Sequence, residues 1–274
     1  MNYIHRHESE LDWSSSVDGP LRALQTKLLL DGVHAASRAY FFGLAMLKCG
    51  AATDPYFRHE AELIYVLRGR AHMAADTERF TLGERGCVYF PAGGTRSIGA
   101  DASGDLLYAF TIPCERHGSV RVVESISDDG AGAEPAASRA AWTKWEGTEE
   151  WQPVEASKGF RIRYKRLMDR ATPREIIAGI GLIDPGTHYT VHYHDQPEIY
   201  YIESGEGIVY VDGSEVPVRP GSCLDIGGKV VHGADSLGTE PLAIFYVYGC
   251  ERAGHTVNWT AVEEVYDTPK KQRR

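Results

Sequence analysis

The chain has 274 residues, of which 43% are hydrophobic and 24% are charged, with a formal net charge of −9 at pH 7. This composition is typical of a globular protein, and the length allows two domains of ordinary size. The acidic balance argues against a nucleic-acid partner, because proteins that bind nucleic acid need a basic face.

The sequence also predicts a cytoplasmic protein without a membrane partner. The N-terminus has no apolar signal core, and no stretch is long enough to cross a membrane. The 5 cysteines are odd in number and include no Cys-x-x-Cys pair, a pattern that is typical of reduced thiols.

Residues 1–124 are predicted to form a first unit of short antiparallel strands. The stretch is rich in aromatic and β-branched residues and is punctuated by glycine and proline. Residues 125–141 are rich in Ser, Asp, Gly and Ala, which predicts a linker between two domains.

The second unit, residues 142–265, repeats the first. When the chain is laid on itself at an offset of 136 residues, one gapless register extends over about eighty positions. The matches include Gly50 with Gly186, Glu62 with Glu198, Tyr65 with Tyr201, Gly69 with Gly205, and Cys87 with Cys223. Chance rarely gives such a match, so we interpret the chain as a duplication of one unit. Residues 266–274 are predicted to be a short, solvated basic tail.

The residues that carry chemistry lie close together in the second unit. Its glycine-bounded stretch predicts two strands joined by a tight turn. His192 and His194 fall on the same face of the first strand, because side chains alternate along a strand. Glu198 begins the next strand, and His232 follows later in the unit. Three imidazoles and one carboxylate make a ligand set for a divalent transition metal.

This spacing resembles the two motifs of the cupin superfamily. The first motif reads Gly, five residues, His-x-His, three or four residues, Glu, six residues, Gly. It is matched at every position by Gly186, His192, His194, Glu198 and Gly205. The second motif is matched by Gly221 and His232, and it departs from the usual Pro, Gly and Asn at Gly227, Lys229 and Ser236. The resemblance implies an all-β protein of two tandem jelly-roll β-barrels, a bicupin, and makes a homodimer plausible.

One divalent transition metal per chain is expected. Four protein ligands leave an octahedral metal with two open positions, where substrate or dioxygen can bind. Iron(II) is favoured, and manganese, nickel, cobalt, copper and zinc also accept imidazole and carboxylate ligands. The absence of cysteine from the ligand set favours a catalytic metal over a structural one.

Strand alternation predicts the candidate catalytic residues. Tyr200 shares the strand face of Glu198, and Tyr246 lies with Tyr248 on a face of the last strand that suits a polar pocket. Glu198, Tyr200 and Tyr246 are therefore the candidates for proton transfer. His188 shares the face of the His-x-His pair, or it lies instead at the mouth of the barrel.

The first unit has lost the nitrogen ligands. At the same offset, the three histidines fall on Tyr56, Arg58 and Arg96, and only Glu62 remains. Arginine has no lone pair for a metal, so no metal is expected there. Two interpretations stay open for Arg58, Arg96 and Glu62. They form a buried ion-pair network, or their guanidinium groups form a pocket for a carboxylate or phosphate.

Three functions are compatible with these residues. The resemblance favours a metal-dependent dioxygenase-type oxidoreductase that acts on a small hydroxy acid, keto acid or aromatic compound. The alternative is a non-redox isomerase, lyase or hydrolase, as in the ureidoglycine aminohydrolases, whose ligand pattern differs from the one in this chain. The third is a non-enzymatic binding or storage protein, against which the intact ligand set argues. The fold alone does not decide among them.

Overall fold

The computed structural model describes residues 2–15, 18–31, 39–113, 122–123, 142–154, 161–168, 176–249 and 260–261. These residues are mainly in strands, with short 3-10 helices at Glu8–Glu10 and Glu146–Thr148. The all-β class predicted from the sequence is confirmed. Within the described ranges, no helix has the length and hydropathy that a membrane crossing requires. The predicted linker and the predicted basic tail lie outside these ranges.

The strands of the first half are short and closely spaced. They are β1 (Tyr3–His7), β2 (Ser14–Ser15), β3 (Gln25–Asp31), β4 (Tyr40–Leu47), β5 (Tyr56–Arg58), β6 (Glu62–Arg68), β7 (Ala71–Ala75), β8 (Glu78–Leu82), β9 (Gly86–Phe90), β10 (Gly94–Ala100), β11 (Leu106–Pro113) and β12 (Val122–Val123).

The second half repeats this series. Its strands are β13 (Trp142–Trp145), β14 (Gln152–Pro153), β15 (Ile162–Met168), β16 (Ile176–Ile183), β17 (His188–Tyr193), β18 (Glu198–Ser204), β19 (Gly207–Val211), β20 (Ser214–Val218), β21 (Ser222–Ile226), β22 (His232–Ser236), β23 (Leu242–Gly249) and β24 (Thr260–Ala261).

Each half builds a barrel from one sheet of seven strands and one of five. The sheets of the first barrel are ordered β13-β9-β6-β11-β4-β3-β2 and β12-β5-β10-β7-β8. Those of the second are ordered β1-β21-β18-β23-β16-β15-β14 and β20-β19-β22-β17-β24. Neighbouring strands run antiparallel. The predicted tandem jelly-roll architecture is confirmed.

The two barrels exchange a strand. β1 pairs with β21 of the second barrel, from Tyr3 opposite Ile226 to His7 opposite Ser222. β13 pairs in turn with β9 of the first barrel. The repeat gave no sign of this exchange, and the domain boundaries drawn from the sequence stay predictions.

The two seven-stranded sheets share one buried core. Residues from both halves form a single apolar cluster, in which Tyr65 stacks on Phe245 with ring centroids 4.1 Å apart. Phe42 and Tyr201 meet at 5.8 Å. A polar contact also joins the two halves, since the Tyr65 hydroxyl donates a hydrogen bond to Glu203 at 2.8 Å. Aromatic burial of this kind stabilises each half through the other.

The first barrel contains the buried ionic cluster around Glu62. One carboxylate oxygen of Glu62 lies 3.1 Å from Arg96 Nη1 and 3.5 Å from Arg58 Nε, and it accepts a hydrogen bond from Tyr56 at 3.2 Å. Although burial works against it, the charges of Glu62 and Glu60 raise the pKa of Arg58. Two guanidinium groups and two carboxylates give balanced charge, which favours the ion-pair network over the anion pocket.

The Glu62→Gln variant should lower the free energy of unfolding by about 3–5 kcal/mol, because it leaves buried guanidinium groups without their shared carboxylate. Urea unfolding measures the change. Glu78→Gln is the control, since Glu78 is exposed on β8 and its loss should change stability by less than about 0.5 kcal/mol. Equal stability of the Glu62 variant and the wild type would instead support the anion pocket.

Candidate metal centre

All four predicted metal ligands meet inside the second barrel. His192 lies near the end of β17, Glu198 begins β18 and His232 begins β22, and all are buried with His194. The ligand atoms of the three histidines lie within 4.8 Å of one another. One carboxylate oxygen of Glu198 lies 3.0 Å from His194 Nε2 and 3.1 Å from His232 Nε2.

Backbone carbonyls orient the three imidazoles. Nδ1 of His192 lies 2.9 Å from the Thr190 carbonyl oxygen, Nδ1 of His194 lies 2.8 Å from that of Gln196, and Nδ1 of His232 lies 2.8 Å from that of Val230. A carbonyl oxygen only accepts, so each Nδ1 carries the proton. The lone pair of a neutral ring is then left on Nε2, as metal-ligating histidines require.

The charge state of the cluster fits a cation. Burial works to raise the pKa of Glu198, but in the chain without a metal the hydrogen bonds from protonated Nε2 atoms of His194 and His232 outweigh burial and lower the pKa to about 2. Burial likewise works to lower the pKa of His194, but Glu198 raises it, and a bound metal would take the place of this shared proton. Burial and the neighbouring His232 lower the pKa of His192 to about 3. An ionised carboxylate and a neutral imidazole are both acceptors, and acceptors this close require a proton or a metal ion among them. The residues present therefore fit a divalent metal.

The loop before His232 keeps its shape although it lacks the usual glycine. Lys229 stands at that position and adopts φ = 64°, in the left-handed region that costs a non-glycine residue about 1–2 kcal/mol. Its N–H donates to the His194 carbonyl at 2.7 Å, which connects the two halves of the ligand set. The departure from the second motif thus leaves the turn geometry in place.

A cavity of 390 Å³ opens beside the ligands. His192 and Glu198 form part of its wall, and the predicted Tyr200 and Tyr246 both face it. The other polar lining residues are Arg163, Tyr164, Arg166, Tyr189, Thr190 and Tyr248. Such a volume suits a small organic molecule.

His188 does not line this cavity. The pairing of β17 with β22 shifts register between Tyr189 and His192, so alternation along the strand is broken there. Tyr189 faces the cavity instead, with its ring 4.9 Å from that of His192. His188 bonds to Asp235, which also accepts a hydrogen bond from Tyr210 at 3.0 Å. The prediction that His188 shares the face of the ligands is wrong, and the bulge is the physical reason.

Tyr246 lies across a glycine of the neighbouring strand. A Cβ atom at Gly179 would stand 2.4 Å from the Tyr246 hydroxyl, so only glycine leaves room for the ring. The first barrel has the same arrangement, because a Cβ at Gly43 would stand 2.6 Å from the ring of Phe110. Both barrels thus pack an aromatic ring over a glycine of the neighbouring strand, but only the ring in the second barrel carries a hydroxyl group.

The cavity hydroxyls are specific to the barrel that holds the ligand set. At the 136-residue offset, Tyr200, Tyr246 and Tyr248 fall on Ile64, Phe110 and Ile112. The strand register supports this alignment, since His192 pairs with His232 as Tyr56 pairs with Arg96. The first barrel forms the same fold without hydroxyls at these positions, so the hydroxyls beside the ligands are not needed for folding and are candidates for a role in chemistry.

Four polar lining residues were not predicted from the sequence: Arg163, Tyr164, Arg166 and Tyr189. The first three lie on β15, ahead of both motifs, where no spacing pattern marks them. Tyr189 was hidden by the bulge. A comparison of the two repeats can identify such residues, provided that equivalent positions are assigned from the strand register rather than from a fixed offset.

The fold and the four buried donors define a two-barrel jelly-roll protein with a candidate three-histidine, one-glutamate metal centre. Residues 179–248 match the family model described as Cupin domain. The match lies within the second barrel, which contains the motif residues that resemble the cupin pattern.

Comparison with characterised proteins adds one sequence relative. The dimethylsulfoniopropionate lyase DddW of Ruegeria pomeroyi is 36% identical over 87 residues, which are 31% of this chain and 57% of that protein. The match thus spans little more than half of the relative.

Solved structures share the whole two-barrel fold. Protein Ylba from E. coli aligns with a TM-score of 0.69 at 16% identity, over 93% of both chains. Oxalate decarboxylase from Lactobacillus farciminis aligns with a TM-score of 0.71 at 16% identity, over 94% of this chain and 88% of that one. The enzyme from Bacillus subtilis, described with Mn(II) centres, aligns with a TM-score of 0.67 at 16% identity, over 94% of this chain and 79% of that one.

We expect one divalent metal ion per wild-type chain. The double variant His192→Ala, His194→Ala loses two of the four donors and should retain no metal, as measured by elemental analysis of untagged protein. His188→Ala is the matched control, because this histidine lies on the same strand and outside the cavity wall, so it should keep its metal. Two metal ions per wild-type chain would contradict the assignment of the first barrel as a barrel without a metal.

Proposed function

We propose that this protein is a metal-dependent lyase that eliminates a leaving group from the carbon β to a carboxylate. The observation that carries the proposal is the set of hydroxyls of Tyr200, Tyr246 and Tyr248 beside the ligand cluster, because the first barrel has Ile64, Phe110 and Ile112 at these positions. Such hydroxyls suit proton transfer, and a lyase reaction of this kind consists of proton transfer and bond cleavage.

The sequence relative supports this reaction class. Its name describes a lyase of dimethylsulfoniopropionate. That compound is a short carboxylate with a sulfonium leaving group on the β carbon. The relative is matched over part of its length only, so the reaction class is proposed for this chain and the compound serves as a probe.

The reaction balances without an oxidant. A base removes a proton from the carbon next to the carboxylate, and the electrons of that C–H bond form a C=C bond. The leaving group departs from the β carbon with the electrons of its own bond. The products are an unsaturated carboxylate, the leaving group and one proton.

Tyr200 and Tyr246 are the proposed proton-transfer residues. They pair across β18 and β23, and both face the cavity. Burial raises the pKa of each well above its ordinary value, and the charge of Glu198 adds to the effect, so both are protonated in the metal-free chain. A bound divalent metal supplies positive charge that polarises a substrate carboxylate and favours the ionised form of nearby hydroxyls.

A dioxygenase-type oxidoreductase that uses iron(II) is the second candidate. The donor set of three imidazoles and one carboxylate favours it, because these donors suit iron. The same donors suit manganese. Activity as an isomerase or hydrolase, a cytoplasmic location, a homodimer and the lack of nucleic-acid and membrane partners all stay predictions.

The test is incubation of metal-loaded protein with short carboxylates that carry a β leaving group. Dimethylsulfoniopropionate and malate are two such probes, and their unsaturated products, acrylate and fumarate, are measured by liquid chromatography. An oxygen electrode runs in parallel. We expect an unsaturated acid without oxygen uptake. Uptake of dioxygen in step with substrate loss would overturn the lyase and favour the dioxygenase.

Variants that lack either hydroxyl test whether the tyrosines act in proton transfer or in metal binding. Tyr200→Phe and Tyr246→Phe should keep the bound metal and lower the rate of elimination by roughly 10²–10⁴-fold, the range for one general acid–base group. Tyr210→Phe is the control, since that hydroxyl bonds to Asp235 and lies outside the cavity wall. If both cavity variants retain wild-type rates, the tyrosines are not the proton-transfer residues.

Glu198 is proposed to act as a ligand at rest and as a base in turnover. If Glu198 acts only as a ligand, Glu198→Gln should weaken metal binding and activity together, and excess metal should restore both. If Glu198 also acts as a base, the metal-loaded variant should still lose roughly 10²–10⁴-fold in rate. Near-normal turnover by the metal-loaded variant would rule out the second role.

A further inference from the structure

A polar row crosses one sheet of the second barrel from the ligand cluster towards its far edge. In the strand register, Tyr200 on β18 pairs with Tyr246 on β23, and Tyr246 pairs with Gly179 on β16. Gly179 pairs in turn with Arg166 on β15. Three strand spacings place Arg166 about 14 Å from Tyr200 along the row. Tyr200, Tyr246 and Arg166 all face the same cavity.

The first barrel has an apolar row in the same register. There Ile64 pairs with Phe110, Phe110 with Gly43, and Gly43 with Leu28. Leu28 therefore stands where the second barrel has Arg166. This correspondence is hidden at the fixed offset, because the chain from Leu28 to Gly43 is two residues longer than the chain from Arg166 to Gly179. The comparison shows that the fold does not need a cation at this position.

Among the described residues, Arg166 differs from its strand neighbours Arg163 and Lys165 in having no acidic partner. Arg163 lies 2.7 Å from Asp184, and Lys165 lies 2.8 Å from Glu146. Within the part of the chain that the structure describes, no carboxylate pairs with Arg166, and its Nε atom is buried without a hydrogen-bond partner.

Three tyrosines surround this guanidinium group. It lies 5.5 Å from the ring of Tyr164 and bonds to the Tyr246 hydroxyl. Burial works to lower the pKa of Arg166, but Tyr248, Tyr246 and Tyr164 outweigh burial and raise it, so the guanidinium group stays charged beside the cavity. A ligand carboxylate in the cavity would supply a counter-ion for that charge.

We propose that Arg166 forms a carboxylate subsite at the end of the cavity remote from the metal ligands. The inference rests on the proposed function and deepens it, because it assigns the substrate class. The substrate is then a small dicarboxylate, with one carboxylate at the ligand cluster and the second bound by the guanidinium group. A guanidinium group binds a carboxylate in a bidentate manner, and it repels a cation.

The subsite also disfavours cationic groups, which the aromatic rings of the tyrosines alone would bind. Aromatic faces attract sulfonium and quaternary ammonium groups, and the cavity wall is rich in them. The charge of Arg166 opposes such a cationic tail. This chain therefore discriminates against the class of compound for which its sequence relative is named.

The test measures binding of unreactive acids to the metal-loaded protein by calorimetry. Glutarate is compared with pentanoate, and succinate with butyrate, so that each pair differs in one carboxylate. A third probe, 3-(trimethylammonio)propionate, carries a cationic tail. The wild type should bind at least one dicarboxylate about tenfold or more tightly than its matched monocarboxylate, as expected for a charge-assisted hydrogen-bonded pair.

Four variants assign the preference to a residue. Arg166→Leu copies the first barrel, and it should remove the preference for the dicarboxylate and strengthen binding of the cationic probe. Arg166→Lys should keep part of the preference, because the charge remains without the bidentate geometry. Arg163→Leu tests the competing assignment, since Arg163 also lines the cavity but is already neutralised by Asp184 at 2.7 Å. Arg161→Leu is the control that should behave as the wild type, because Arg161 is exposed and lies outside the cavity wall.

The outcomes distinguish failure of the subsite proposal from failure of the lyase proposal. Equal binding of dicarboxylates and monocarboxylates by the wild type overturns the subsite, and so does loss of the preference in Arg163→Leu but not in Arg166→Leu. If no unsaturated acid is formed from any probe but the preference still depends on Arg166, the lyase proposal fails and the subsite stands.

Discussion

Three hydrogen bonds between imidazole and backbone hold the centre of the second barrel. Each histidine donates from Nδ1 to a carbonyl only two residues away in the chain, so the backbone itself fixes which nitrogen faces inward. With Nε2 lone pairs and an ionised Glu198 directed at one point, the barrel interior requires a proton or a bound cation there. The turn at Lys229, the packing of β17 against β22 and the cavity wall all follow from keeping these acceptors together.

The duplicated barrel serves as an internal control for chemistry. Both copies form the same sheets, seat an aromatic ring over a glycine and keep a buried glutamate, so these features belong to the fold. In the first copy, Arg58 and Arg96 supply positive charge around Glu62 from within the chain. In the second copy the corresponding charge comes either from a proton on an imidazole or from a bound cation. The contrast separates residues that hold a jelly roll together from residues whose properties only a ligand explains.

The sequence was sufficient for the fold class and for the four metal-ligand candidates, because glycine punctuation and the spacing of His192, His194, Glu198 and His232 reflect local strand geometry. It was insufficient where geometry is not local. A bulge turned His188 out and Tyr189 in, which strict alternation does not anticipate. Arg166 lies ahead of any motif, and its partners across the sheet are set by pairing rather than by spacing. The exchange of β1 and β13 likewise depends on partners that are distant in the chain.

That exchange has a consequence for how the chain is made. During synthesis, β1 leaves the ribosome first, yet its partner β21 follows about 220 residues later. The first barrel must likewise wait for β13, which follows β9 by about fifty residues, before that sheet is complete. A nascent chain that stops between the barrels therefore displays two open strand edges, each a template for pairing with another chain. Neither barrel can be cut out at the linker as an intact unit, and the duplicated protein behaves in biosynthesis as one indivisible fold.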